Sequence, residues 1–391
     1  MKRIIIIGGG ASGLMAAIKA SETAKGNVEV IIIEKNSKVG KKILISGNGK
    51  CNFTNLKADK NYYNNPTFAG SILEQFNVKD TLKFFEDKAL YYEADEEMRV
   101  YPYSYNANTL LDILLRECED HNIKIITDTV VKGITKNKDK FVIKCQDKDI
   151  TGDIVICSIG GKIGSGKIED NYDILRDFNL RITRLSPALV PLYTPKKQVS
   201  GLSGIRVRAD VSLIIDNQII HRESGEVLFK EEGLSGISIF NSSLFYVRNK
   251  DNKECYISLD LMPKFSEAEI IDKFNKLQLA IDDFLNGIFS RRISDKIIKD
   301  SINIEIENIV KTIKNMQFTI VGTYDYTNAQ ITSGGIDIRE INSRTLEVLK
   351  VPNLYLTGEL IDIDGECGGF NLQWAWSSGA VAGNNAGNKC K

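Results

Sequence analysis

Three glycines at the spacing Gly8-x-Gly10-x-x-Gly13 follow an unbroken apolar run, Ile4-Ile5-Ile6-Ile7, and precede Leu14, Ala17 and Ile18 at helical spacing. Strand, glycine turn and helix is the context in which this pattern binds a dinucleotide. Gly8 permits the tight turn, Gly10 lets a pyrophosphate approach the backbone, and Gly13 lets helix and strand pack closely. The helix start supplies unpaired N–H groups and about half a positive charge. A second β-branched run, residues 28–33, ends at Glu34, 21 residues beyond Gly13. A carboxylate there can accept both ribose hydroxyls. A Gly-rich turn with a surface glutamate is the bland alternative, and these residues alone leave NAD and FAD both open.

The rest of the chain leans towards FAD. Residues 40–52 (GKKILISGNGKCN) follow the second strand without another helical pattern. Their small and amide side chains suit a cofactor that extends past its pyrophosphate, and suit a solvated loop equally. Near the C-terminus, Leu354-Tyr355-Leu356-Thr357-Gly358-Glu359 reads as a strand returning beside the first one. Asp362, Asp364-Gly365 and Gly368-Gly369-Phe370-Asn371 follow, then a helix from about Leu372. A helix starting there would offer N–H groups to the N1/O2 edge of a flavin, where reduction places negative charge. A helix end contributes ~0.3–1 kcal/mol, up to ~2 when partly buried. At ~1.4 kcal/mol per ~30 mV for a two-electron couple, that tunes a potential by tens of millivolts. A helix cap that touches no ligand is the alternative.

These residues need elements to position them. Two buried-strand patterns separated by a glycine turn and a helix make a βαβ unit with a parallel sheet. Residues 35–55 are polar and Gly-rich and read as a long loop. Two short helices are expected next, one carrying Phe68, Ile72 and Phe76, the other starting after Asn77 with Leu82 and Phe85 inward. A clearer helix follows Asn108, with Leu111, Leu114, Leu115 and Cys118 on one stripe. Short strands at 123–126, 130–135, 141–144 and 154–156 read as an antiparallel meander returning to the main sheet. Pro187, Pro191 and Pro195 mark a boundary or crossover. Alternating segments such as 207–215 and 256–261 predict a β-rich domain, and residues 265–315 are amphipathic and helical. The fold class is therefore α/β.

Composition excludes several function classes. The chain has 391 residues, 42% hydrophobic and 26% charged, which is ordinary for two or three globular domains. Its 51 basic and 51 acidic residues cancel, which argues against nucleic acid as the main partner. Seven cysteines without a CxxC pair fit a reducing cytoplasm, and two histidines leave little for metal chemistry, so no metal is expected. The apolar run at the N-terminus stops after four residues, and no run approaches the ~18 of a spanning helix, so no membrane is expected.

Four stretches together resemble the BaiN-like (YhiN-like) family of FAD-dependent oxidoreductases: residues 7–13, residues 40–55 (GKKILISGNGKCNFTN), residues 225–236 (GEVLFKEEGLSG) and residues 358–379 (GELIDIDGECGGFNLQWAWSSG). Linking pieces at 186–192 (SPALVPL) and 329–335 (AQITSGG) agree, so the resemblance spans essentially the whole chain. It implies a glutathione-reductase-type, Rossmann-like FAD domain split between both chain ends (1–188 with 334–391). A β-rich substrate domain (189–262 with 313–333) and a small helical cap (263–312) would be inserted. It puts Gly8, Gly10, Ala11, Ser12 and Gly13 on the pyrophosphate, and Glu34 and Lys35 on the adenosine side. Lys42, Ser46, Gly47, Asn48, Gly49 and Cys51 would follow towards the ribityl chain and flavin. Val131 would contact adenine through its backbone, and Ser158, Ile159 and Gly160 would form a strand-end turn over the cofactor. Gly358, Glu359, Asp364, Gly369, Phe370, Asn371 and Gln373 would close over the ribityl chain and isoalloxazine. The sequence departs from the family at Lys162-Ile163-Gly164-Ser165-Gly166-Lys167, at Phe229-Lys230-Glu231 and at Ile237. The first of these puts substrate contacts from that loop in doubt.

Other conspicuous residues carry bland readings beside sharp ones. Cys367 and Cys51 read as packing residues rather than redox thiols, and Trp374 and Trp376 as packing for the last helix. Arg99-Val100-Tyr101-Pro102-Tyr103 reads as a turn or as a wall of the substrate pocket, and His221 as exposed. No catalytic acid or base is assigned, because the cofactor does the hard step. The resemblance implies non-covalent FAD exchanging hydride with a small or flat substrate beside Asn371. It offers two reactions: NAD(P)H-fed reduction of a double bond conjugated to a carbonyl, as in bile-acid enones, or oxidation of a small amine to give peroxide. A non-catalytic flavin module and an RNA-modifying flavoprotein are the remaining alternatives. No oligomeric state is implied.

Overall fold

The computed structural model describes residues 1–163, 171–251 and 254–391. The chain divides into two compact units, residues 1–186 with 331–391, and residues 187–330. Among the described residues, no helix is long and apolar enough to cross a membrane.

The first unit is organised by a parallel sheet. Its strands are β1 (Lys2–Ile7), β2 (Val28–Ile33), β3 (Lys124–Ile126), β4 (Ile154–Cys157) and β5 (Leu354–Leu356), in the order β5-β4-β1-β2-β3. Ile4 to Ile7 are buried because β1 is central and covered on both faces, as β-branched runs in parallel sheets require. Ile4 pairs with Val30 on one side and with Ile154 on the other.

Two sequence expectations are corrected here. The strand near the C-terminus does not lie beside β1, because β4 stands between them and Val155 pairs with Leu354. All residues of both strands are buried, and the shorter β5 takes the outer position. Residues 124–126 are the opposite edge of this sheet rather than part of the meander, which consists of Val131–Asn137, Lys140–Cys145 and Ile150–Gly152.

Helix α1 (Ala11–Ala24) packs against the last helix, α2 (Phe370–Asn388), at backbone contact distance. A Cβ on Gly379 would lie 2.4 Å from the Ser12 carbonyl oxygen, one on Gly383 2.4 Å from that of Ala16, and one on Gly387 2.6 Å from that of Ala20. Three glycines at four-residue spacing therefore let a helix from one chain end nest along a helix from the other. This seam joins both termini in one unit, together with the β4–β5 pairing and a shared apolar core.

Residues 35–55 are more ordered than a long loop. Buried Ile43 anchors a short helix, Lys41–Ile45, followed by a 3-10 turn, Ser46–Gly49, and a strand, Thr54–Asn55. That strand pairs with Arg99–Pro102, which pairs in turn with Tyr92–Ala94, so the segment expected to be a turn is the middle strand of a small antiparallel sheet. Helices Pro66–Leu73, Val78–Glu86 and Ala107–Asp120 complete the unit, the second opened by an Asn77–Asp80 capping box.

The second unit is built on an antiparallel sheet whose longest strands, Arg206–Ile215 and Gln218–Lys230, form a hairpin. Helix Ile237–Asn249 packs on that hairpin, and four helices follow between Glu267 and Lys314. His221, expected to be exposed, is largely covered. Phe245 of the packed helix stacks on its ring at 4.4 Å, and Glu223 lies 3.4 Å from its Nε2.

Candidate functional site

The C-terminal ends of the parallel strands converge on one edge, the position where open α/β sheets bind ligands. The glycine turn follows β1. The Gly8 N–H donates to the Ile33 carbonyl at 2.8 Å, and the Ser158 N–H donates to the Ile7 carbonyl at 2.8 Å. Gly8 has φ +100°, and a Cβ on it would lie 2.5 Å from the Ser158 carbonyl oxygen. A Cβ on Gly13 would lie 1.9 Å from the Gly8 carbonyl oxygen, so helix and turn touch as the motif requires. A Cβ on Gly10 would meet nothing within 4 Å. That open space lies at the start of α1, whose first turn has no capping side chain and no acidic residue. Ala11, Ser12 and Gly13 thus present their N–H groups to a space that an anion fits.

Glu34 ends β2 and is buried. Its Oε2 accepts from the Gly9 N–H at 2.8 Å, and its Oε1 accepts from the Asn36 N–H at 2.9 Å. These bonds, with a further one from Asn36 Nδ2 to Oε1 at 2.5 Å, fix the carboxylate beside the glycine turn and leave Oε2 a lone pair for a ribose hydroxyl. Lys35, next in the chain, is exposed. The Thr129 N–H donates to the Glu34 carbonyl at 3.0 Å, which brings the start of the meander, and with it Val131, alongside.

The two long family-like stretches meet at the same edge. Lys42 Nζ lies 2.8 Å from Glu359 Oε2, and Glu359 Oε1 accepts from the Thr332 N–H at 2.7 Å. Ser158 Oγ and Thr357 Oγ1 share a hydrogen bond of 2.7 Å at the ends of β4 and β5. Ile159 and Gly160 continue this turn, and a Cβ on Gly160 would lie 3.6 Å from Lys42 Nζ. Gly358 donates its N–H to Ser378 Oγ and accepts from Trp374 Nε1. The loop from Ser46 to Cys51 takes left-handed backbone at Gly47, Asn48, Gly49 and Cys51. Its Ser46 hydroxyl donates to the Ile43 carbonyl at 2.7 Å.

Several expected residues point their side chains into the protein. Gln373 is fully buried; its Nε2 donates to Thr81 and Ser377 and its Oε1 accepts from Thr54. The Asn371 amide closes the preceding turn, exchanging bonds with Gly365 at 2.9 and 2.8 Å. Phe370 stacks on Tyr62 at 4.3 Å, and Asp364 is buried. What this stretch offers a ligand is backbone: α2 starts at Gly369, with no capping side chain and no acid in its first turn. Trp374 and Trp376 are buried packing residues, the latter donating to the Phe53 carbonyl at 2.8 Å. Burial pushes the Cys51 thiol up to about 11, so it stays protonated and serves as wall rather than nucleophile.

Two residues outside the expected set belong to this edge. Thr332 holds Glu359 and accepts from the Lys162 N–H at 2.9 Å, and Asn52 lies between the two glycine loops. Both stand inside stretches already conspicuous in the sequence, 329–335 and 40–55. Of the departing loop, Gly164 to Lys167 lie outside the described residues. Dinucleotide, diphosphate and ribose chemistry all find partners here, and the residues present fit FAD.

Comparison with known proteins agrees with this geometry. The model of a family described as HI0933-like protein Rossmann domain matches residues 2–385. The chain is 33% identical to the 3-dehydro-bile acid delta(4,6)-reductase of Clostridium scindens, over 99% of both chains. It is 27% identical to the ribosomal RNA dihydrouridine synthase of Haemophilus influenzae, over 96% of both. Among solved structures, the open conformation of a flavocytochrome c3 fumarate reductase shares the fold, with a TM-score of 0.51 at 14% identity, covering 100% of this chain and 78% of that one.

Proposed function

The chain belongs to the HI0933-like Rossmann-domain family and is an FAD-dependent oxidoreductase, and from that premise we propose that it saturates a carbon–carbon double bond conjugated to a carbonyl in a flat ring. The observation that carries this reading is that two relatives with unlike substrates have names sharing one reaction. A 3-dehydro steroid with Δ4,6 unsaturation is a ketone conjugated to ring double bonds. Forming dihydrouridine saturates the uracil bond conjugated to its C4 carbonyl.

Bound FAD, once reduced by its electron donor, would supply the hydride that the β carbon of such a bond accepts, while the α carbon takes a proton. The chain's own residues bind and orient. The open start of α1 at Gly10 holds the diphosphate, and buried Glu34 orients the adenosine ribose. The Lys42–Glu359 pair ties the loop after β2 to the turn after β5. The proposed electron donor is NAD(P)H. The sequence has no second Gly-x-Gly-x-x-Gly after a strand, so the nicotinamide would reach the flavin without a Rossmann domain of its own.

Between the two substrate classes, charge supports the smaller one. With 51 basic and 51 acidic residues, the chain lacks the excess of cations that a polyanionic RNA calls for, and a small flat enone is favoured. Seven free cysteines fit a reducing compartment such as the cytoplasm.

The test starts from protein reduced under anaerobic conditions. Photoreduced holoprotein is mixed with a 3-oxo-4,6-diene steroid, with a uridine-containing RNA, or with oxygen alone. Flavin reoxidation by the steroid, with product gaining two hydrogens, supports the reading. Reoxidation only by RNA moves the substrate to the second class. Reoxidation only by oxygen, with peroxide formed and amines rather than enones turned over, sinks it.

A further inference from the structure

We infer that Asn52 reads the flavin ring, its side-chain amide pairing with the imide edge of the isoalloxazine pyrimidine, N3–H and an adjoining carbonyl. The inference rests on the assignment of FAD and adds to it a residue outside the set expected to hold the cofactor.

The observation is an unpaired amide in a costly place. Asn52 is 9% exposed, and its Oδ1 is buried with no hydrogen-bond partner among the described residues. The other amide side chains around the start of α2 are engaged. Asn55 Nδ2 donates to the Gly368 carbonyl at 2.9 Å, Asn371 is tied to Gly365, and Gln373 to Thr54, Thr81 and Ser377. Buried polar groups are almost always satisfied, so one that is not calls for a partner from outside the chain.

The position says which partner. A Cβ on Gly369 would lie 2.8 Å from Asn52 Oδ1, and a Cβ on Gly47 would lie 2.9 Å from the Asn52 backbone nitrogen. Asn52 therefore sits between the loop after β2 and the start of α2. Both glycines have positive φ, +56° and +101°, so neither site readily accepts a side chain that would crowd the amide. A primary amide offers one acceptor and two donors. A cyclic imide offers the complement, an N–H beside carbonyl oxygens, and the two pair through parallel hydrogen bonds. The uncapped N–H groups of α2 remain for the next carbonyl of the same edge.

The test uses the full chain, stripped of cofactor and titrated with FAD, with N3-methyl-FAD and with ADP. N3 methylation removes the donor that Asn52 would accept from. The wild type is expected to bind N3-methyl-FAD at least about tenfold more weakly than FAD, and Asn52→Ala to reduce that preference to within about threefold. ADP, which reports only the Gly10 and Glu34 half, should bind both proteins alike. Equal discrimination in wild type and variant overturns the inference. Should Asn52→Ala fail to bind ADP, Asn52→Asp keeps an acceptor and places a negative charge at the ring. Its ratio of affinities for reduced over oxidised FAD should fall about tenfold, equivalent to ~30 mV for a two-electron couple. An unchanged ratio overturns the inference as well. A wild type that binds ADP but neither flavin would instead sink the flavoenzyme assignment itself.

Discussion

Lys42 and Glu359 stand 317 residues apart in sequence, and their charged groups meet at 2.8 Å. The pair joins the stretch after β2 to the turn after β5, and Glu359 is held a second time by the Thr332 N–H. Such a contact fixes geometry more than it adds stability, since Lys42 is 38% exposed and solvent screens the attraction. A double-mutant cycle with Lys42→Met and Glu359→Gln should give a coupling of ~0.5–1 kcal/mol by urea unfolding. Each single variant should also weaken FAD binding, because each lets one loop move. Additive stability effects with unaltered FAD affinity would show that the pair is incidental.

Gly10 and Gly13 make opposite predictions from the same motif. Gly10 has room for a methyl group within the protein, whereas a Cβ on Gly13 would strike the Gly8 carbonyl oxygen. Gly10→Ala should therefore melt close to the wild type without cofactor, yet bind FAD at least about tenfold more weakly if the space it fills is, as proposed, that of the diphosphate. Gly13→Ala should lose ~1–3 kcal/mol of stability even without cofactor, the range for overpacking. Thermal melts of both apo variants, paired with FAD titrations, separate the two. If Gly10→Ala binds FAD as the wild type does, the diphosphate is not held there.

Much of this edge is legible in the sequence because it is local. Strand, glycine turn, helix and a carboxylate at the end of the next strand lie within residues 4–34, and local spacing fixes their arrangement. What is not legible depends on partners far along the chain. The place of β5 beside β4 rather than β1 is a long-range pairing, Val155 with Leu354, that no local pattern specifies. His221 is covered because helix Ile237–Asn249 packs across its hairpin, which periodicity within the strand cannot reveal. Gln373 and Asn371 stand in a motif that reads as cofactor-binding, yet the Gln373 amide turns inwards and the half-buried Asn371 amide is tied to the Gly365 turn. A motif locates a loop at the ligand, and side-chain direction within it is decided by packing.

The seam between α1 and α2 gives a prediction about how two distant segments stay together. A Cβ on Gly383 would lie 2.4 Å from the Ala16 carbonyl oxygen, a contact that backbone separation alone could relieve. Gly383→Ala would ordinarily gain helix propensity of ~1 kcal/mol in an exposed helix. Here the clash should outweigh that gain, leaving the protein ~1–2 kcal/mol less stable and FAD more easily lost. A stabilised Gly383→Ala variant would show that the helices are not packed at backbone distance.

Asp337 makes part of the stability depend on pH independently of the cofactor. Its carboxylate accepts from the Arg339 side chain and backbone N–H and lies 3.3 Å from Arg181, and the Arg339 hydrogen bond, ahead of all other causes, holds its pKa down at about 2 against an ordinary 3.8. A depressed folded-state value means that the stabilisation is present above the unfolded pKa and is lost as pH falls through the folded one. Fully realised, such a depression is worth ~2 kcal/mol, but Arg339 is two-thirds exposed and screening reduces this to ~1 kcal/mol. Asp337→Asn, which keeps the shape and removes the charge, should therefore cost ~1 kcal/mol in urea unfolding at neutral pH. The deficit should hold down to about pH 4, shrink below it, and vanish near pH 2. A deficit that stays constant as the solution is acidified would show that Asp337 acts through its hydrogen-bond geometry alone and that its charge contributes nothing.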